Sequence, residues 1–328
     1  MSDYAVVVKA RMSSERLPGK ALAVYAPDGT PNLIQIVRRW QASDRDPVII
    51  VATTDGLEDG AIADYCAGYG VACFRGSRDD VTGRMDGAIK AFAPDVRWIA
   101  RWIARGSADN PLVDVGLADW RFDILVETGA DGLWYGGEHE RITYAGTTDV
   151  WSRRAWDAIA EGSSGSQDEH PGGWFWDNLS RLNVVQIPMP RREYLAPVRT
   201  ELDMPADLEM FRQLWHRMSD EKGEEISCIN TLDALKYLIG HPQLAATNTE
   251  VGAKTMTRPR ACRSCAGRAR TGSAASCRAI SRCAARGAAR RASSTEEGSV
   301  GKLHELLAVE ADLKAKGGGR HPYQVSTS

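Results

Sequence analysis

Through the first 120 residues of this 328-residue chain, short apolar runs alternate with stripes of apolar residues at helical spacing. No other feature constrains the fold as strongly. Tyr4 to Lys9 reads as a fully buried strand, Pro47 to Thr53 as a second, Val71 to Phe74 as a third and Trp98 to Arg105 as a fourth. Between them Leu33, Ile36, Val37 and Trp40 mark one helix, and Ile62, Tyr65, Cys66 and Tyr69, closed by Gly70, mark another. Val81, Met85, Ile89 and Phe92 mark a third. Strands separated by helices of this length build βαβ units, so the expected fold is α/β with a doubly wound, mostly parallel sheet. Ligands of such sheets sit beyond the carboxyl ends of the strands. The stretch from Lys9 to Lys20, Thr53-Thr54-Asp55, the Arg75 region and Asp109 all fall there.

Beyond about Asp123 the pattern loosens. Up to Arg199 the chain is rich in aromatic residues (Trp134, Tyr135, Tyr144, Trp151, Trp174, Trp176) and reads as an inserted subregion covering the binding edge. A helix opened by Pro205 is expected from Ala206 to Met218, and another from Thr231 to Ile239, ending at Gly240. The character then changes. Between Val251 and Ser294 stand ten arginines, one lysine, no acid and no aromatic residue, with Val251, Met256 and Ile280 as the large aliphatics. No core can be built from that. Leu303, Leu306, Leu307 and Leu313 mark one short amphipathic helix before a polar tail. The expected organisation is therefore a folded domain over 1–250, a low-complexity segment over 251–294, and a short helix and tail over 295–328. The composition of the middle segment is that of an unstructured arm, or of a GC-rich gene translated out of frame.

Composition narrows the class. Hydrophobic residues make up 43% of the chain, enough for a sizeable core. No run approaches the ~18 apolar residues of a membrane span, and no signal-peptide pattern opens the chain, so a cytoplasmic protein without membrane attachment is expected. The net charge of −2 is an average over an acidic body and the basic segment. An acidic body speaks against nucleic-acid binding by the main domain, which leaves the arginine segment as the one place for it. Cys66, Cys73 and Cys228 read as reduced thiols. Cys262, Cys265, Cys277 and Cys283 lie in the basic segment; their second spacing is wrong for a zinc knuckle and no histidine is near.

The first strand empties into KARMSSERLPGK, a loop with four cations, two serines and a Pro-Gly turn. A solvated surface loop could carry these residues. Their place at a strand end instead favours a cradle for an anion such as a triphosphate, which takes several cations, hydroxyl or N–H donors and a close-approaching glycine. The loop is neither GxxxxGK[ST] nor GxGxxG, so a P-loop kinase or a dinucleotide-dependent dehydrogenase is disfavoured.

On these residues the chain resembles the bacterial cytidylyltransferases. ARMSSERLPGK is similar to the ARxxSxRLPGK signature that opens CMP-Kdo synthetases, the more distant CMP-sialic acid synthetases and the spore-coat polysaccharide cytidylyltransferases, the last group above all. VIIVATTDGLEDGAI, GVACFRGSRDDVTGR, ARGSADNPLVD and RTELDMPADLEMFRQLW then resemble later family segments in the same order, so that the likeness runs from residue 4 to residue 250. It implies a sheet of the nucleotide-diphospho-sugar transferase type, a homodimer, and transfer of CMP from CTP to a small anionic acceptor with release of pyrophosphate. By position, Arg11 and Lys20 would hold the phosphates, assisted by Arg16 and Ser13, and Asp109 and Asp203 would hold Mg²⁺. Ala10, Ser77 and Arg84, with Arg75 less directly, fall where the family meets cytosine and ribose. Tyr144, Asp149, Glu169, His170 and Arg199 fall on the acceptor side. One departure stands out: relatives have a TGD-type turn before the metal aspartate, and here Ser107-Ala108-Asp109 replaces it.

Plainer roles exist for several of these residues. Asp109 could cap the turn before Pro111, Asp203 the helix after Pro205, and His170 could be an ordinary surface histidine. A nucleotide-sugar glycosyltransferase would carry a DxD motif after its fourth strand, which Asp109-Asn110-Pro111 is not. A non-catalytic nucleotide-binding protein would bind CTP without releasing pyrophosphate.

Overall fold

Alternate residues of the first strand, β1 (Tyr4–Lys9), feed two separate cores, and this sets the layering of the whole domain. The computed structural model describes residues 3–96, 98–102, 108–134, 145, 148–165, 172–187, 192–223 and 228–248. Around β1 a seven-stranded sheet forms with β2 (Val48–Thr54), β3 (Ala72–Gly76), β4 (Trp98–Trp102), β5 (Gly132–Trp134), β6 (Thr148–Ser152) and β7 (Val184–Gln186). Its order is β3-β2-β1-β4-β6-β5-β7. The β3-β2-β1-β4 portion is parallel, β6 runs antiparallel to both β4 and β5, and β7 is parallel to β5. The sheet is thus mostly parallel, as the alternation requires.

Tyr4, Val6 and Val8 pack against α1 (Asn32–Gln41), α2 (Gly60–Gly68) and α4 (Val115–Thr128), through Leu33, Trp40, Ile62, Cys66 and Phe122. Ala5 and Val7 face α3 (Val81–Phe92), α5 (Arg153–Gly162) and α6 (Gly172–Asp177), where Met85, Ile89, Trp156 and Phe175 are buried. A third core, beyond the sheet, joins Tyr25 to α7 (Pro205–Lys222), α8 (Thr231–Gly240) and α9 (Pro242–Ala245) through Phe211, Trp215, Leu235 and Leu244.

The sequence-derived elements shift mainly at their ends. Tyr65, Tyr69 and Phe92 are exposed at 41%, 46% and 43%, so only Ile62 and Cys66 of the second stripe are buried. The cause is position: α2 lies over β3 at the sheet edge, where there is less surface to cover. The fourth strand is described as far as Trp102, and the expected continuation to Arg105 lies outside the described residues. The region read as an insertion contributes three strands to the sheet itself. Residues 251–328, with their four cysteines and the leucine stripe, lie outside the described residues.

Candidate active site

Lys9 pairs with Ala52, and the Ala10 N–H donates to the Ala52 carbonyl at 3.1 Å before the chain leaves the sheet. The loop then closes on itself: the Met12 carbonyl accepts from the Ser14 and Gly19 N–H groups, each at 2.9 Å. Gly19 sits at φ 73°, a conformation that costs a glycine little and other residues more. One turn of 3₁₀ helix, Lys20–Leu22, follows and buries Lys20. The Met12 N–H donates to Asp59 Oδ1 at 2.5 Å, and the Thr54 hydroxyl donates to Asp59 Oδ2. Asp59 is wholly buried, so the loop is pinned to the carboxyl end of β2.

The Lys20 ammonium lies between two carboxylates, 3.3 Å from Asp109 Oδ2 and 2.9 Å from Asp203 Oδ1. All three are nearly inaccessible, at 2%, 3% and 5% exposure. Arg16, half-buried, makes an ion pair with the other oxygen of Asp203. Main-chain contacts fix the spacing. Asn32, at the start of α1, donates through Nδ2 to the carbonyls of Lys20 (3.1 Å) and Ala108. The Ala108 N–H donates to the Lys9 carbonyl at 2.9 Å. Ala108 adopts φ 40°, in the left-handed region. This is the turn in which the sequence departs from its relatives, and the backbone there holds a conformation that favours glycine.

Two further guanidiniums, Arg84 and Arg11, act on each other at the same end of the sheet. Arg84 is buried, and its pKa is pulled down to about 10, first by burial and then by the Arg11 charge, against the opposing pull of Asp59, Asp80 and Asp55. Like charges that act on each other in this way are relieved by a bound anion. Arg84 Nη1 donates to the Ser77 carbonyl, while its Nε has no hydrogen-bond partner. Two hydroxyls, Ser13 Oγ and Thr53 Oγ1, are likewise buried without a partner. Ser77 Oγ accepts from the N–H groups of Asp79 and Asp80 at 3.3 and 3.1 Å, which shapes the turn before α3. Arg75 donates to the Thr54 and Gly56 carbonyls at 3.0 and 2.7 Å. The structure therefore gathers Ala10, Arg11, Ser13, Arg16, Lys20, Arg84, Asp109 and Asp203 about one edge of the sheet, with Ser77 and Arg75 beside them.

The acceptor-side residues are less uniform. Asp149 is buried on β6, 3.8 Å from Arg121. Arg199 donates from Nε and Nη2 to Asp207 at 2.7 and 3.0 Å, and from Nη1 to Glu201 at 2.6 Å. Tyr144, Glu169 and His170 lie outside the described residues. Sequence reasoning passed over Asp59, Asn32, Asp207 and Asn248, all fully buried beside the site. Asp207 alone left a signal, as the third residue of a helix that opens with proline.

Asp109 and Asp203 supply hard oxygen donors that already converge on one cationic nitrogen, a donor set suited to Mg²⁺. Among the described residues no third His, Cys, Asp or Glu completes a metal cluster. That is the ordinary arrangement for Mg²⁺, which is held by one or two carboxylates and completed by phosphate and water.

A mostly parallel α/β sheet with cations, hydroxyls and paired carboxylates at its carboxyl edge suits a phosphate-bearing ligand and a divalent cation. Residues 5–147 match the cytidylyltransferase family model. The spore coat polysaccharide biosynthesis protein SpsF of Bacillus subtilis is 36% identical over 137 residues, 40% of this chain and 53% of that protein. The 3-deoxy-manno-octulosonate cytidylyltransferase of Leptothrix cholodnii is 27% identical over 238 residues, 65% of this chain and 80% of that one. The fold is similar to that of a solved cytidylyltransferase from Leptospira borgpetersenii, with TM-score 0.63 at 19% identity, over 75% of this chain and 97% of the other. Over residues 5–147 the chain is similar to the cytidylyltransferases, which supports a nucleotidyltransferase that uses CTP. Among the described residues no helix is long and apolar enough to cross a membrane.

Proposed function

We propose that the protein transfers CMP to a small anionic acceptor, a sugar acid or a related acid such as a phosphonate, with release of pyrophosphate. An acceptor oxygen attacks the α-phosphorus of CTP, the bond from that phosphorus to the bridging oxygen breaks, and the acceptor proton passes to solvent. The observation that carries this reading is the convergence of Lys20, Asp109 and Asp203 beneath the signature loop. The L. cholodnii relative is named for a sugar acid and the B. subtilis one for polysaccharide biosynthesis, which supports a sugar-derived acceptor.

Arg11 and Lys20 hold the phosphates, with Arg16 and the Ser13 hydroxyl assisting. Ala10, Ser77 and Arg84 meet cytosine and ribose, and the buried Thr53 hydroxyl is available on the same side. Asp109 and Asp203 would hold Mg²⁺, which would supply charge neutralisation at the transferring phosphoryl group. Positioning and charge neutralisation carry most of the catalysis in such transfers. The Lys20 ammonium, held between the two carboxylates, is placed to meet phosphate oxygens as well. Tyr144, Glu169 and His170 are assigned to the acceptor. Asp149 and Arg199, engaged by Arg121 and by Asp207 with Glu201, are given no direct contact with it.

The test is pyrophosphate release from each of the four nucleoside triphosphates with Mg²⁺, against a panel of sugar acids and small phosphonates. Release with CTP and one acceptor class is expected. Release with another nucleotide, or CTP binding without turnover across the panel, overturns the reading. Light scattering on the same preparation checks the homodimer that the family resemblance implies, and cell fractionation checks the cytoplasmic location.

A further inference from the structure

Asp207 receives more hydrogen bonds than a helix start calls for. In a capping arrangement the third residue of a helix needs one contact, to the N–H of the cap residue. Asp207 makes that contact with the Met204 N–H at 2.8 Å, and the same oxygen also accepts from the N–H of Asp203 at 2.9 Å. Arg199 meets both carboxylate oxygens, from Nε at 2.7 Å and Nη2 at 3.0 Å. Asn248 Nδ2 adds a fifth bond at 2.9 Å, and reaches the Arg199 carbonyl at 3.3 Å. Asp207 and Asn248 are both at 0% exposure. A carboxylate buried so completely is costly unless its partners are well formed; an exposed acid would have capped the helix as well.

We propose that Arg199, Asp207 and Asn248 form a clamp that positions the Asp203 carboxylate for the divalent cation. The inference rests on the reading above that Asp203 helps hold that cation. The clamp holds the Asp203 peptide through its N–H, while the carboxylate is taken by Lys20 and Arg16. The neighbouring Leu202 N–H donates to the Asp109 carbonyl at 2.9 Å, so fixing this peptide also fixes its spacing to the second carboxylate. Arg199 supplies a positive charge against the Asp207 carboxylate, pairing with both of its oxygens. Burial pulls the Arg199 guanidinium pKa down, but the Asp207 hydrogen bonds and the charges of Glu201, Asp207 and Asp203 raise it overall. Asn248 draws the last described turn of the chain into the support of the site, at a position where the sequence shows no motif. These three are positioning residues: they touch neither nucleotide nor metal.

The experiment is titration of the full chain with Mn²⁺ alone, read by the loss of the free-ion electron paramagnetic resonance signal, for the wild type, Asp207→Asn, Asn248→Ala and Asp203→Asn. Removal of a residue that orients a metal ligand lowers metal affinity by ~10–100-fold. Asp207→Asn and Asn248→Ala are expected to bind Mn²⁺ at least ~10-fold more weakly while circular dichroism stays native, and to regain kcat at high Mg²⁺. A merely structural role would lower the melting temperature without moving either readout. If Asp203→Asn abolishes Mn²⁺ binding while the two clamp variants, folded, bind as the wild type does, the clamp is overturned and the metal assignment stands. If Asp203→Asn itself binds normally, both fall. Should Asp207→Asn not fold, Asn248→Ala decides, since it removes one amide and leaves the Arg199–Asp207 pair in place.

Discussion

The main-chain N–H of Leu202 donates to the carbonyl of Asp109 across 2.9 Å, joining two segments far apart in sequence. Each segment carries one of the two carboxylates that flank Lys20. Their separation is therefore set by backbone, and Lys20 neutralises a pair that the fold has already placed. Replacing Lys20 with methionine should leave two buried carboxylates short of a counter-ion, at a cost of roughly 3 kcal/mol. Turnover should be lost, and Mg²⁺ should raise the melting temperature of Lys20→Met more than that of the wild type. Equal shifts in calorimetry would show that the lysine and the metal do not share the same carboxylates.

Ala108 holds φ 40° beside Asp109. The left-handed region costs an L-residue about 1–2 kcal/mol, and glycine avoids most of that. Ala108→Gly should therefore stabilise the protein by ~1 kcal/mol after the loss of unfolded-state restriction, a rise of about 2–4 °C in melting temperature. Ala108→Val should do the opposite and weaken metal affinity, because a β-branched residue tolerates positive φ poorly. A thermal melt of the two variants beside the wild type distinguishes the outcomes.

Asp59 is buried beneath the signature loop and accepts from the Met12 N–H and the Thr54 hydroxyl. With Asp59→Asn the amide can replace one acceptor but not both, and the loop loses a charge-assisted bond. CTP affinity is expected to fall tenfold, which is what a loss of about 1.4 kcal/mol produces. Calorimetric titration with CTP measures it; unchanged affinity would mean that the loop holds its shape without Asp59.

Gly132 on β5 lies where an added Cβ would come within 2.6 Å of the Phe175 ring and 3.1 Å of Trp151. Gly132→Ala should cost about 1–3 kcal/mol by overpacking this face of the sheet. The check is urea unfolding, in which the midpoint should fall at constant slope.

Asn248 is packed into the site, and the change in composition follows within a few residues. A chain shortened to residues 1–250 is expected to fold and to release pyrophosphate from CTP at the wild-type rate. Shortening to 1–245 should raise the Mg²⁺ needed for turnover at least ~10-fold, because it removes Asn248. Equal activity of the two truncations would place the functional boundary earlier.

The α/β layering was legible in the order of residues alone. The alternation of Val6 and Val8 with Ala5 and Val7 dictates a strand covered on both faces, and the helical stripes supply the covers. That order also picked out the loop that carries Arg11, Arg16 and Lys20, because cations clustered at the end of a buried strand have few other uses. How distant carboxylates meet was settled by the folded chain. Asp109 and Asp203 come together through one backbone hydrogen bond and one lysine. Asp59, Asn32 and Asn248 support the site from positions where a single polar residue looks like any other in the chain. Periodicity records which face of a helix or strand is buried and is blind to which buried polar atoms find one another, because those pairings depend on where the sheet carries each segment.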